Sequence, residues 1–165
     1  MSTTPRTVLA AVALLGVTAL AAPAQSNNAN IAVTAVVQQP INVAATNALA
    51  FGNVFPGVAK TVLVTSASAG SFAVTGQAST PVSMTFVVPA SLTSGVNTLP
   101  IGTFTGNWNG TNAPTGTGFT PSAAATAATL SATGQMFVFV GATVTPATTQ
   151  AAGSYSGTLQ MTVVY

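Results

Sequence analysis

Beyond about residue 30, apolar positions recur with period two in short runs, separated by clusters of Gly, Pro, Ser, Thr and Asn. Alternation of that kind predicts half-buried strands, since successive side chains of a strand point to opposite faces. In Asn30-Ile-Ala-Val-Thr-Ala-Val-Val37, the residues Ile31, Val33, Ala35 and Val37 share one face. Further runs lie at 40–43, 49–51, 60–65, 72–75, 82–88 and 99–105, with turns over 52–57 and 66–71 and a loop over 93–97. The stretch 106–118 is dense in Gly, Asn and Thr and predicts an exposed loop. Runs at 129–131, 135–141, 142–144 and 158–165 complete the chain. The one Ala-rich stretch, 122–128, is short and interrupted by Thr126, and predicts no helix. Eight to ten short strands with turns about every ten residues predict an antiparallel β-sandwich.

The N-terminus departs from this pattern. Met1-Ser-Thr-Thr-Pro-Arg6 leads into an apolar run over 8–22, then Ala22-Pro23-Ala24 and Gln25. A positive start, an apolar stretch and small residues at the end predict a secretory signal peptide over residues 1–24, and hence export to the cell surface or the extracellular space. The competing reading, an uncleaved anchor, needs ~20 apolar residues, more than this proline-terminated run supplies. The remainder divides into an N-terminal extension, 25–38, and a single domain, 39–165, large enough to bury roughly two-thirds of its surface.

Charge then narrows the chemistry. The sequence has two basic residues, Arg6 and Lys60, and no Asp, Glu, His or Cys. General acid–base catalysis needs a group that titrates near working pH, and Ser or Thr nucleophiles need a base beside them, so an enzyme is not expected. Thiolate, imidazole or carboxylate ligands for a metal are lacking, no glycine-rich stretch carries the lysine of a phosphate loop, and nucleic acid requires many more cations. No cofactor, metal or nucleic acid is expected as a partner. With 48% hydrophobic residues and 1% charged, the chain is too apolar to be disordered and has little repulsion to hold copies apart. Its edge strands also lack the lysines and inward charges that normally block strand addition.

Three stretches carry a resemblance: Leu49-Ala-Phe-Gly-Asn-Val-Phe-Pro-Gly57, Phe72-Ala-Val-Thr-Gly76, and Ala152-Gly-Ser-Tyr-Ser-Gly-Thr-Leu-Gln-Met-Thr-Val-Val-Tyr165. In order and spacing they resemble DUF4402, a family of bacterial exported β-rich proteins, over about residues 30–165. The ending is also similar to that of chaperone–usher pilin subunits of the spore-coat-U-like group. The resemblance implies an all-β, immunoglobulin-like sandwich at the cell surface, with a periplasmic chaperone and an outer-membrane usher as possible partners. It supplies no catalytic residue.

In such fibres a subunit's sandwich lacks a strand, and the N-terminal extension of the next subunit fills the gap. Ile31, Val33, Ala35 and Val37 have the alternation such a donor needs; burying the three large ones contributes on the order of 5–9 kcal/mol before entropy. The alternative is that this segment is the first strand of its own sandwich. Trp108, inside the polar stretch, is either a surface contact for a sugar or partner, or a residue folded back onto its own sheet. Lys60 reads as a solvated residue guarding an edge, and Asn109-Gly110-Thr111 fits a glycosylation sequon that arises often by chance. The phenylalanines read as core or groove lining, and Tyr155 as a hydroxyl that bonds back to a loop. The expected function is a non-enzymatic filament subunit that polymerises with copies of itself, with a monomeric secreted or surface-attached module that binds a ligand such as polysaccharide as the alternative.

Stability follows pH only through groups that bind different numbers of protons in the folded and unfolded states. With no carboxylate or imidazole side chain, the thermal unfolding midpoint is expected to stay nearly constant between about pH 3 and pH 7. Calorimetry that found a strong fall toward acid would contradict this.

Overall fold

A computed structural model describes residues 27–165. The signal peptide expected over residues 1–24 lies outside them. The chain divides into a unit ending at Ala35 and a unit spanning Val36–Tyr165. Residues 27–41 take part in no strand pairing, and everything below concerns the second unit.

Ten strands follow: β1 (Asn42–Asn47), β2 (Lys60–Val62), β3 (Gly70–Thr75), β4 (Pro81–Val87), β5 (Ser91–Ser94), β6 (Asn97–Asn109), β7 (Thr117–Phe119), β8 (Thr126–Thr129), β9 (Gln135–Val144) and β10 (Gln160–Val164). All pairings are antiparallel. One sheet runs β1-β3-β9-β6-β5, with β2 also on β9 and β7 also on β6; the other runs β10-β4-β8. Taken along the chain, β1, β3, β4, β6, β9 and β10 occupy the places of strands A to F of an immunoglobulin sandwich, with A-B-E-D in one sheet and C-F in the other. The expected immunoglobulin-like antiparallel sandwich is therefore the fold. Among the described residues, no strand fills the seventh place, beside β10.

Period-two burial builds both sheets. Val82, Met84 and Phe86 of β4, Met136, Val138 and Val140 of β9, and Met161 and Val163 of β10 all turn inward, with Val74, Ala128 and Leu130, into one core between the sheets. A second core holds Leu99 and Ile101 of β6 with Ala142 and Val144 of β9. No strand of the smaller sheet contributes a buried residue to it. The longer sheet thus outruns the shorter one, and at that end Leu49, Phe51, Val54 and Tyr155 from loops pack against its inner face.

Two glycines fix how the large sheet closes. At Gly141 a Cβ would come within 2.4 Å of the Val62 carbonyl oxygen, because β2 and β3 share one side of β9 and the chain loops out between them. At Gly106 a Cβ would meet the Phe119 ring at 2.5 Å. Phe119 lies opposite Gly106 in the β6–β7 ladder and its ring centre stands 5.3 Å from that of Phe86, so the glycine makes room for an aromatic pair joining the sheets. Between Gly102 and Thr105 the β6 ladder shifts register, with Thr103 at φ 47°, and this bulge returns Phe104, Gly106 and Trp108 to the inner side.

Several expected boundaries move. The predicted loop 106–118 shrinks to 110–116, since β6 continues to Asn109 and β7 returns from Thr117. Residues 49–51 form no strand, residues 63–65 leave the sheet after β2, and the run placed at 129–131 lies at Thr126–Thr129.

Replacing Gly106 by Val should force the Phe119 ring off its seat. The expected loss is about 1–3 kcal/mol, as for overpacked cores. Chemical denaturation with an unchanged midpoint would refute it.

Candidate functional site

Pairing leaves two strand edges facing each other without a partner. β1 bonds only to β3, and β10 only to β4. Along its upper part the seam between them is shut by packing: Ile41 and Val43 lie against the core that holds Met161 and Val163. The Tyr165 hydroxyl ties the end, donating to the Gln39 carbonyl at 2.5 Å and accepting from the Gln77 amide at 2.8 Å. One side chain thereby joins the entry to β1, the β3–β4 turn and the end of β10.

Away from that latch the seam opens into a cleft of about 1110 Å³. Its apolar lining includes Leu49, Phe51, Leu92, Phe104, Tyr155 and Leu159. Leu99 and Ile101 of the second core also border it. One wall is the segment after β1, held where the Ala50 amide donates to the Ser68 carbonyl at 3.0 Å. The other is the segment before β10, where Ser156 and Thr93 of β5 exchange backbone hydrogen bonds of 2.8 and 3.0 Å. Around the cleft, bonded neighbours therefore run β3, β9, β6, β5 and Ser156. The ring breaks between the two walls.

Side-chain bonds hold these walls in place. The Tyr155 hydroxyl donates to the Ala151 carbonyl at 2.8 Å and accepts from Gln150 Nε2 at 2.7 Å, while Gln150 also donates to the Thr98 carbonyl at 3.0 Å. This is the expected bond back to a loop, in the connection between β9 and β10 where a tyrosine corner sits. Lys60, the one charged side chain among the described residues, is exposed on β2 and donates from Nζ to the Asn53 carbonyl at 2.9 Å, pinning the opposite wall. No charged side chain lines the cleft.

Ile31, Val33 and Val37 are 90%, 90% and 94% exposed, and Ala35 is exposed as well. Trp108 stands on β6 rather than in a loop, half-buried against the first core, with no hydrogen-bond partner for its buried Nε1. Asn107 and Asn109 beside it bond the carbonyls of Pro114 and Thr115, at 3.1 and 2.5 Å, and so fold the 110–116 loop back on the strand. Neither Trp108 nor that loop reaches the cleft. Leu99, Ile101 and Phe104 are legible as strand residues but not as cleft lining, and Leu92 of β5 as neither, because nothing local marks where an opposing sheet ends. Both walls draw on stretches that carry the family resemblance, Leu49–Gly57 and Ala152–Tyr165.

A family described as a domain of unknown function, DUF4402, matches residues 41–165. No curated protein matches the chain.

Tyr165→Phe removes one hydroxyl and leaves the Gln39 carbonyl and Gln77 amide without their partner. A half-exposed bond of this kind is worth about 1 kcal/mol. Hydrogen exchange at the Gln77 amide should accelerate several-fold while amides of β9 keep their protection; unchanged exchange at Gln77 would show that the latch contributes nothing.

Proposed function

This chain belongs to the DUF4402 family, and we propose that it is an exported, non-enzymatic structural subunit of a bacterial surface filament. Each copy accepts, in the seam between β1 and β10, the N-terminal extension 25–38 of the next copy. The observation that carries this reading is the apolar cleft into which the unpartnered edges of β1 and β10 run on, between the segment after β1 and the segment before β10. A strand laid there would satisfy backbone groups on one or both sides, at about 0.5–1.5 kcal/mol for each hydrogen bond, and would cover the second core. The extension offers four apolar residues on one face and no charge, so nothing charged has to be desolvated.

Contact of one copy's extension with another copy's cleft is a head-to-tail interface, which propagates as an open fibre unless the rotation happens to close it. The near absence of charge favours such association over solubility as a monomer. Export by a signal peptide, a chaperone that covers the cleft before assembly and an outer-membrane usher belong to the same reading. The other reading, a monomeric binding module contacting polysaccharide through Trp108, has less support, since that ring packs against the first core.

Deletion of residues 25–38 should abolish fibres while leaving a folded, soluble subunit. Negative-stain microscopy of the exporting cells and size-exclusion chromatography of the truncated protein provide the test. Fibres from the truncated protein would remove the mechanism.

A further inference from the structure

The seam has a direction and a pattern of sizes, and both bear on how it would be filled. From the start of β10 outward, the wall before it carries Leu159, Gly157, Tyr155 and Gly153 at alternate positions, with Leu159 and Tyr155 half-buried. The four positions span about 20 Å at ~3.3 Å per residue, as do Ile31 to Val37 of the extension. Neither side carries a charge, and Gly157 leaves its inward space to Leu92, whose Cδ2 would lie 2.8 Å from a Cβ there.

Resting on the filament reading above, we infer that the extension of a second copy enters antiparallel to the wall before β10, with Ile31 beside Leu159 at the inner end of the cleft, Val33 beside Gly157, Ala35 beside Tyr155 and Val37 beside Gly153. In this register the smallest donor residue meets the only ring on that wall, and both valines meet glycines, Val33 gaining Leu92 as a floor. A slip of two residues sets Val33 or Val37 against Tyr155, a reversal of the strand sets Val33 there, and each leaves Ala35 over a glycine. A one-residue slip turns the whole apolar set to solvent.

Direction separates the two possible sources of the strand. A chain's own extension joins β1 at Gln39-Pro-Ile41, so folding back onto its own seam would make it a hairpin partner of β1 and set it parallel to β10. A strand from another copy has no such tether. It is free to run antiparallel to the 153–159 wall and so to pair with it as an antiparallel strand. The packing of Ile41 and Val43 against the first core closes the seam beyond Leu159 and sets the depth of entry.

The native chain has no cysteine, so engineered pairs report on register without background. Outward-facing positions keep the core intact. In the full exported chain, Val36→Cys with Ser154→Cys, and Ala32→Cys with Thr158→Cys, bring directly opposed residues within disulfide reach. Both pairs should give a ladder of covalent oligomers on a non-reducing gel. The swapped pairs, Ala32→Cys with Ser154→Cys and Val36→Cys with Thr158→Cys, should give none. Adding Ala35→Leu to the first pair should cut the ladder at least tenfold; residue 35 is exposed, so the subunit's own melting point should hold.

Fibres with crosslinks only in the swapped pairs, or in no pair, overturn the register while leaving the filament reading standing. A disulfide formed within the monomer of a swapped pair assigns the extension to its own chain. Absence of both fibres and crosslinks overturns the filament reading and the inference with it. An undiminished ladder with Ala35→Leu overturns the size match between Ala35 and Tyr155.

Discussion

Backbone hydrogen bonding governs this molecule. Side chains contribute almost no electrostatics, there is no disulfide, and cohesion comes from two apolar cores and the ladders that frame them. A ladder with an unpaired edge is an unfinished surface, because each free amide and carbonyl still needs a donor or acceptor. The sandwich places two such edges, on β1 and β10, against each other, and the cleft between the segments after β1 and before β10 is apolar.

The fold was legible because its signal is periodic. Alternation in 82–88 and 135–141 gave β4 and β9 nearly to the residue, since both strands bury one face under the opposing sheet. Where glycine replaces an apolar residue the alternation vanishes from view. Gly106 faces inward beneath Phe119, yet among Asn and Thr it reads as loop, and the pattern therefore predicts a shorter β6 than the one found. Residues 49–51 failed in the opposite sense: Leu49 and Phe51 alternate like a strand but line a cleft wall whose pairing partner is absent from the described chain.

The cleft was less legible than the fold. Its position depends on where the smaller sheet stops, and that is set by pairings between residues far apart in sequence, such as Gln160 with Val87 and Thr93 with Ser156. Lys60 shows the same limit. Its exposure on a strand could be read from its charge, but its bond to the Asn53 carbonyl, which steadies one wall, arises from a turn that brings residue 53 back over β2.

The place of β9 carries a consequence for the time course of folding. It is the central strand of the large sheet, pairing with β2, β3 and β6, yet it lies some sixty residues after β3 in sequence, with Phe72 opposite Val138. The first three strands therefore have no central partner until most of the chain is available, and closing so long a loop comes before any contact rewards it. Folding is slow by topology. During that interval, edges that carry no charge to keep neighbours away are exposed to every other nascent copy, so productive folding competes with premature pairing from the first strand onward.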